Sequence, residues 1–588
     1  MFRNLLASMV VTLLATTLGI IVDGIVIGKF LGVRSVAAYG IAGPVILILL
    51  AISGIFTSGT QNMCAGEMGR GNAKNANDIY SESCVITVGF CTILTVIINI
   101  FINPICRVLG ATGSASYLIK DVAAYIRGLS FMIPGMMLAL LIVNIRQLEG
   151  DNLTAVYGTV SMTLVNIGLD LFNVYVLKWG LNGMAIATTI SYYTGLAVVI
   201  TSAVLRERMY KFHFVKIRWS IVKKIFKIGT PGAVERFCLA VRITMFNRIL
   251  VMVAATGTLG SLAVAALSVQ YSINNFFGVI GMGVAMAVLS VTGVFFGEEN
   301  KPALKRLLKE SLRTGILLTT LSATVLFIFC PYFVGIFTSS SEVKHIAING
   351  VRLYCLSMPV DCINSIIKSY LQGIRRAKTT YTFAVVEILV ISIGCGFLLG
   401  KTIGIYGVFA TYFTAETITV IVLMLFVMIR DKTFRLKIDN FLFLKKNFDV
   451  ASYNVYEGSA GSMDEVIELS EKTEKFCLEH GADKESASIL AMSVKEMAGN
   501  IIKHGFSDGK EHQMDYRVIY KNGEYILRLR DDCKRFNPVE WINIVQGSEQ
   551  NGEKKNIYGD TGIMKVKKFV KDIRYVNSMN TNTLIVKV

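Results

Sequence analysis

The sequence predicts an all-α polytopic membrane protein of twelve transmembrane helices in two six-helix parallel repeats, followed by a small cytoplasmic α/β domain. Three observations predict it. Apolar runs of spanning length, about 20 residues at helical rise, succeed one another to position 429. A mean hydropathy of +0.56 with 17% charged residues over 588 residues is too apolar for a soluble chain. Composition also changes near position 450, with 39 Lys+Arg against 20 Asp+Glu before it and 20 against 21 after it. The basic excess therefore belongs to the membrane loops, which argues against a nucleic-acid partner and for a membrane-lipid environment.

The spans fall near 4–28, 36–64, 80–105, 121–145, 155–179, 181–204, 231–256, 261–295, 312–336, 348–373, 379–400 and 404–429. The first is too long for a signal peptide and lacks a small-residue cleavage site, so it is expected to stay as a helix. Basic residues crowd alternate loops, above all Arg206 to Lys227, Lys301 to Arg313, and Arg430 to Lys437, while the other loops are sparse. This places both termini and the loop after the sixth helix in the cytoplasm, in the plasma membrane.

An internal repeat supports the pairing of halves. Leu31-Gly32-Val33-Arg34-Ser35-Val36-Ala37-Ala38 returns as Leu259-Gly260-Ser261-Leu262-Ala263-Val264-Ala265-Ala266, and Pro134 and Pro359 end a second matched pair. Six helices per repeat is an even number, so the halves share one orientation. Transporters built on parallel repeats bind between the halves and rock one against the other. The expected divisions are 1–204 (first lobe), 205–230 (inter-lobe loop), 231–430 (second lobe), 431–449 (basic linker) and 450–588 (tail).

Acids inside the spans are the candidate chemistry, because a charge near mid-membrane costs roughly 2.5–3.5 kcal/mol and persists where it faces a bundle interior. Asp23 lies in the first span. Asn166 and Asp170, four apart, share one face of the fifth. Together the three offer an all-oxygen cluster suited to a hard cation such as Na⁺ or to a shared proton. Glu235 and Asp361 are candidates to line a substrate cavity in the second half, with weaker claims for Glu387 and Glu416. The 11 cysteines form no metal-spacing set.

Val22-Asp23-Gly24-Ile25-Val26-Ile27-Gly28-Lys29-Phe30-Leu31-Gly32, Gly66-Glu67-Met68-Gly69-Arg70-Gly71-Asn72 and Glu149-Gly150-Asp151 resemble the multidrug and toxic compound extrusion (MATE) transporters over roughly residues 1–430. The resemblance implies a monomeric H⁺- or Na⁺-coupled antiporter for small organic, cationic compounds, with Asp23, Asn166 and Asp170 at the cation-coupling site. It departs in one respect: the first helix has no proline.

The tail reads as a strand near 451–456, helices 462–480 and 484–505, strands 513–521 and 524–531, a helix 561–571 and strands 572–578 and 582–588, with Asn522-Gly523 as a hairpin signal. Glu496 and Asn500 in Glu496-Met497-Ala498-Gly499-Asn500, Asp531 in Asp531-Asp532-Cys533-Lys534-Arg535, and Gly559 and Gly562 in Gly559-Asp560-Thr561-Gly562 resemble, in order, the three boxes of GHKL-type ATPases of the anti-sigma-factor kinase branch. The resemblance implies a small α/β sandwich binding ATP, with Asn500 holding Mg²⁺ through the nucleotide, Asp531 reading adenine, and Glu496 orienting a water or acceptor hydroxyl as the catalytic residue of an active member. Cys533 and Arg535 stand where glycines are expected, which leaves phosphotransfer in doubt and a regulatory module that docks a protein partner as the alternative. Two other readings stay open: a membrane-anchored ATP-dependent kinase-like sensor, and a flippase for lipid-linked precursors, whose cavity would be lined by Arg or Lys.

Overall fold

The computed structural model describes residues 2–109, 118–205, 209–254, 257–338, 340–445, 448, 450–506, 512–521, 523–542 and 561–588. Seven helices and a short one build the first lobe: α1 (Phe2–Phe30), α2 (Gly32–Gly69), α3 (Ala73–Ile100), α4 (Ile102–Val108), α5 (Ile119–Ser130), α6 (Met132–Glu149), α7 (Asn152–Phe172) and α8 (Gly180–Leu205). The second lobe follows the same order with α9 (Trp219–Val253), α10 (Gly257–Phe277), α11 (Val279–Gly297), α12 (Lys301–Ile328), α13 (Cys330–Phe337), α14 (Ser341–Gly373), α15 (Ala377–Val385), α16 (Ser392–Ile403) and α17 (Ile405–Asp431). Among the described residues, eleven helical segments are long and apolar enough to cross a membrane. The remaining span is α9, which carries Glu235, Arg236, Arg242 and Arg248 yet packs against α2.

Large apolar side chains such as Ile93, Ile100, Leu398 and Val422 stand exposed on the outer faces of the helices. That pattern suits lipid rather than water, since the backbone polar groups are satisfied within each helix. The chain is an integral membrane protein.

Three expectations shift. The fourth span is broken between α5 and α6 at Phe131, and the eighth between α10 and α11 at Gly278, where continuous hydropathy conceals the break. The expected loop 205–230 is helical from Trp219, and α9 runs on through Pro231, with the Thr230 hydroxyl donating to Phe226 O one turn below. In the fifth helix of each lobe a π-helical stretch interrupts the ladder, Asn173–Leu177 after α7 and Val386–Ile391 between α15 and α16.

The tail has five antiparallel strands, β1 (Val455–Ala460), β2 (Met514–Lys521), β3 (Glu524–Asp531), β4 (Asp572–Ser578) and β5 (Thr581–Lys587), in the order β1-β2-β3-β5-β4. The first strand lies four residues later than expected, because pairing from Val455↔Ile519 to Ala460↔Met514 fixes it, while Asn454 N–H closes a turn onto Ala451 O. Helices α18 (Met463–Glu479), α19 (Lys484–Asn500) and α20 (Thr561–Phe569) cover one sheet face, burying Val466, Leu490 and Val494 against Leu527 and Leu529. The opposite face meets the ends of the lobes, here called the tail side.

The lobes touch each other on that side. A Cβ at Gly297 would overlap the carbonyl oxygen of Gly66, one at Gly69 that of Val294, and one at Gly229 that of Ile55. Asn62 Nδ2 donates to Gly373 O at 3.1 Å, and Gln372 Nε2 reaches Ser58 Oγ at 3.4 Å. At the other ends of α1 and α2, nothing comes within 4 Å of a Cβ placed at Gly24, Gly28, Gly40 or Gly43. The seam between the lobes is therefore closed at the tail side.

Candidate functional site

In the first lobe, α1 and α7 pack closely enough for Thr163 Oγ1 to donate to Ala15 O at 3.0 Å, and a Cβ at Gly19 would lie 3.5 Å from Asn166 Oδ1. This contact brings Asp23 within hydrogen-bonding reach of Asp170 and Asn166. Asn166 Nδ2 donates to Asp170 Oδ2 at 3.3 Å. Asp170 is fully buried, and Oδ1 of both acids is shut away from solvent without a hydrogen-bond partner. Tyr39 and Tyr125, edge to face at 5.9 Å, flank the group. Two carboxyls this close, enclosed and with unsatisfied oxygens, offer oxygen ligands to a proton or a small hard cation. The three residues picked out on two distant helices thus meet in one place.

The second lobe holds a larger charged cluster. Asp361 on α14 has carboxylate oxygens within 4.8 Å of those of Glu387 and Glu416. Asn364 Nδ2 donates to Glu416 Oε2 at 2.7 Å. Lys368, seven residues beyond Asp361, ties the cluster to Glu235: its Nζ lies 2.6 Å from Glu235 Oε1 and 2.9 Å from Glu387 Oε2. The Glu235 side chain is 33% exposed, whereas those of Lys368 and Glu387 are 6% and 2% exposed. Arg242 lies over the Tyr412 ring at 5.0 Å. Glu235 and Asp361 share this network. The sequence reading passed over Lys368, although a lysine among Ile366, Ile367 and Tyr370 inside a span is itself a signal.

The motif loops turn out to hold the tail side together. Glu67 accepts from Arg70 at 2.7 Å and from Asn75 at 2.9 Å, and buried Arg146 pairs with Glu149, which also takes the backbone N–H of Tyr210 at 2.8 Å.

Residues 8–172 and 238–398, more than half of the chain, match the MatE family model. The chain belongs to the MATE family of transporters. It is 22% identical over 350 residues to a probable multidrug resistance protein NorM of Photorhabdus laumondii, covering 58% of this chain and 76% of that protein. It is 20% identical over 403 residues to the multidrug export protein MepA of Staphylococcus saprophyticus, covering 68% and 86%. Among solved structures, a multidrug resistance MATE transporter in an outward-facing conformation superposes with TM-score 0.68 at 22% identity over 74% of this chain and 96% of that one. The MATE fold is thus shared, and the tail lies beyond the matched residues.

In the tail, Glu496 on α19 packs against Gly562 at the start of α20. Asn500 ends α19 with its Nδ2 buried and without a partner. Asp531 Oδ1 accepts from Asn582 Nδ2 at 2.7 Å and Cys533 N at 3.0 Å, and burial pushes its carboxyl above the usual range. Cys533 packs on Gly505, where a Cβ would stand 2.8 Å from its sulfur. Gly559 lies outside the described residues. The orphaned amide of Asn500 fits a ligand with oxygen atoms; the bulk at Cys533 narrows the same neighbourhood.

Proposed function

We propose that this MATE protein exports small organic cations across the plasma membrane, termini on the cytoplasmic side, in exchange for H⁺ or Na⁺, by alternating access between its two lobes. The observation that carries this reading is the enclosed Asp23–Asn166–Asp170 group, in which Oδ1 of each carboxyl lacks a partner. A proton or cation bound there neutralises charge that the membrane interior otherwise penalises, so its arrival and departure bias the packing of α1 on α7. The second-lobe acids around Lys368 outnumber the basic groups, which favours cationic solutes over lipid-linked anions. The names of the NorM and MepA relatives point the same way.

Flux in proteoliposomes under imposed Na⁺ or pH gradients tests it, comparing wild type with Asp23→Asn and Asp170→Asn. Gradient-driven export falls by about tenfold or more in both variants if these groups carry the coupling ion. Equal flux in all three proteins rejects the assignment.

The tail we read as a regulatory module that binds an adenine nucleotide with Mg²⁺. Support comes from the unpartnered Asn500 amide beside Glu496 and from buried Asp531. When bound, Mg²⁺ would screen phosphate charge, with Asn500 holding the ion through the nucleotide; Asp531 would orient the base. Isothermal titration of the intact chain with ATP–Mg²⁺ checks this, and binding unchanged in Asn500→Ala and Asp531→Asn overturns it.

A further inference from the structure

The outer face of the tail's sheet carries a row of guanidinium groups, two of which reach beyond the tail. Arg517 and Arg528 sit opposite each other across β2 and β3, and Arg530 follows on the same face two residues on. Like charges directly opposed on a sheet are destabilising, so this face needs carboxylates. Arg517 has Glu457 at 3.5 Å. The other two find Glu298, at the end of α11 in the second lobe: Arg528 Nη1 lies 3.1 Å from its Oε2, and Arg530 also pairs with it while lying over the Phe295 ring at 5.6 Å. The Glu298 side chain is 2% exposed. Lys521 adds a pair with Glu299.

The same face grips the first lobe. Arg528 Nη2 donates to Gly69 O at 3.3 Å, and Met579 N–H donates to Leu148 O at 2.9 Å. The hairpin tip at Asn580 fills the space above Gly150, and Ile585 and Arg574 sit against Gly71. Both glycines have positive φ, 90° and 72°, so neither loop carries a side chain in the way. One guanidinium, that of Arg528, therefore holds a backbone carbonyl of one lobe and a carboxylate of the other across their seam.

We propose that the sheet is a bolt across the tail-side seam: while Arg528 spans Gly69 and Glu298 the lobes stay shut on this side, and opening there requires the sheet to undock. The proposal rests on the alternating-access reading but is tested without transport. Spin labels are placed on cysteines introduced at exposed Lys74 of α3 and Lys309 of α12, in the full chain with Cys395 and Cys533 replaced by serine, and inter-lobe distances are measured by pulsed electron resonance. Wild type is expected to show one dominant short distance. Glu298→Gln, which leaves the tail intact, and Arg528→Glu are expected to raise a longer-distance population about tenfold, the shift due to a lost charge-assisted contact. The exchange Arg528→Glu with Glu298→Arg should restore the short distance. Distances that stay as in wild type in monodisperse Glu298→Gln and Arg528→Glu chains overturn the bolt, as does a long-distance majority in wild type. Absent flux with these distance shifts present would sink the transport reading and leave the bolt standing.

Discussion

At the scale of single residues, Lys368 is the group on which the second lobe depends. Its ammonium donates to a partly exposed acid, Glu235, at 2.6 Å and to an enclosed one, Glu387, at 3.1 Å. Removing one member of a buried ion pair strands the other charge, at about 3–5 kcal/mol. Lys368→Met is therefore expected to lower thermal stability markedly in detergent. The double variant Lys368→Met with Glu387→Gln should recover part of the loss, since the enclosed carboxylate is then neutral while Glu235 keeps some solvent; a melt showing no recovery would mean that Lys368 acts chiefly through Glu235. The first-lobe acids behave differently. Asp23 and Asp170 have no basic partner among the described residues, so Asp23→Asn should cost transport rather than stability.

At the scale of elements, the seam is set by close approach of α2 to α9 and α11. Gly66 and Gly297 are in contact through bare backbone, and no Cβ fits at Gly297 without overlapping Gly66 O. Gly297→Ala is expected to force the tail-side ends of α2 and α11 apart and cost about 1–3 kcal/mol of closed-state packing. Increased maleimide labelling of a cysteine introduced at Asn62 would register it. The helices themselves were legible because span length and apolar runs are local properties. The breaks at Phe131 and Gly278 were not, since a one-residue interruption leaves the apolar run continuous. In the tail, the Asn522-Gly523 signal located β2 and β3, but β1 needed its partner strand to fix its start. The site was legible in part: Asp23, Asn166 and Asp170 announced themselves as polar groups in apolar runs. Lys368 carried the same signal and was passed over in favour of the acids. The contacts of Arg528 with Gly69 and Glu298 had no local trace, because they join positions hundreds of residues apart.

At the scale of the whole molecule, the tail is a third structural unit laid over the two lobes. Strand β3 faces both ways: Arg528 and Arg530 point to the lobes, while Leu527, Leu529 and Asp531 point to the helices of the tail. A ligand held at Asp531 therefore acts on the strand that grips Glu298. On the nucleotide reading, ATP–Mg²⁺ is expected to change the inter-lobe distance distribution of wild type and to leave that of Glu298→Gln unchanged. An identical response in both proteins would separate nucleotide binding from the seam.

The glycines at 71 and 150, bare so that the sheet can sit on them, have a consequence for affinity measurements. A solute arriving from the tail side finds a receptive molecule only in the fraction of chains whose cover is lifted, and its apparent dissociation constant is the intrinsic one divided by that fraction. Glu298→Gln should thus tighten binding from that face with no change in any group that touches the solute, whereas affinity from the opposite face should fall as the lifted form drains the competing one.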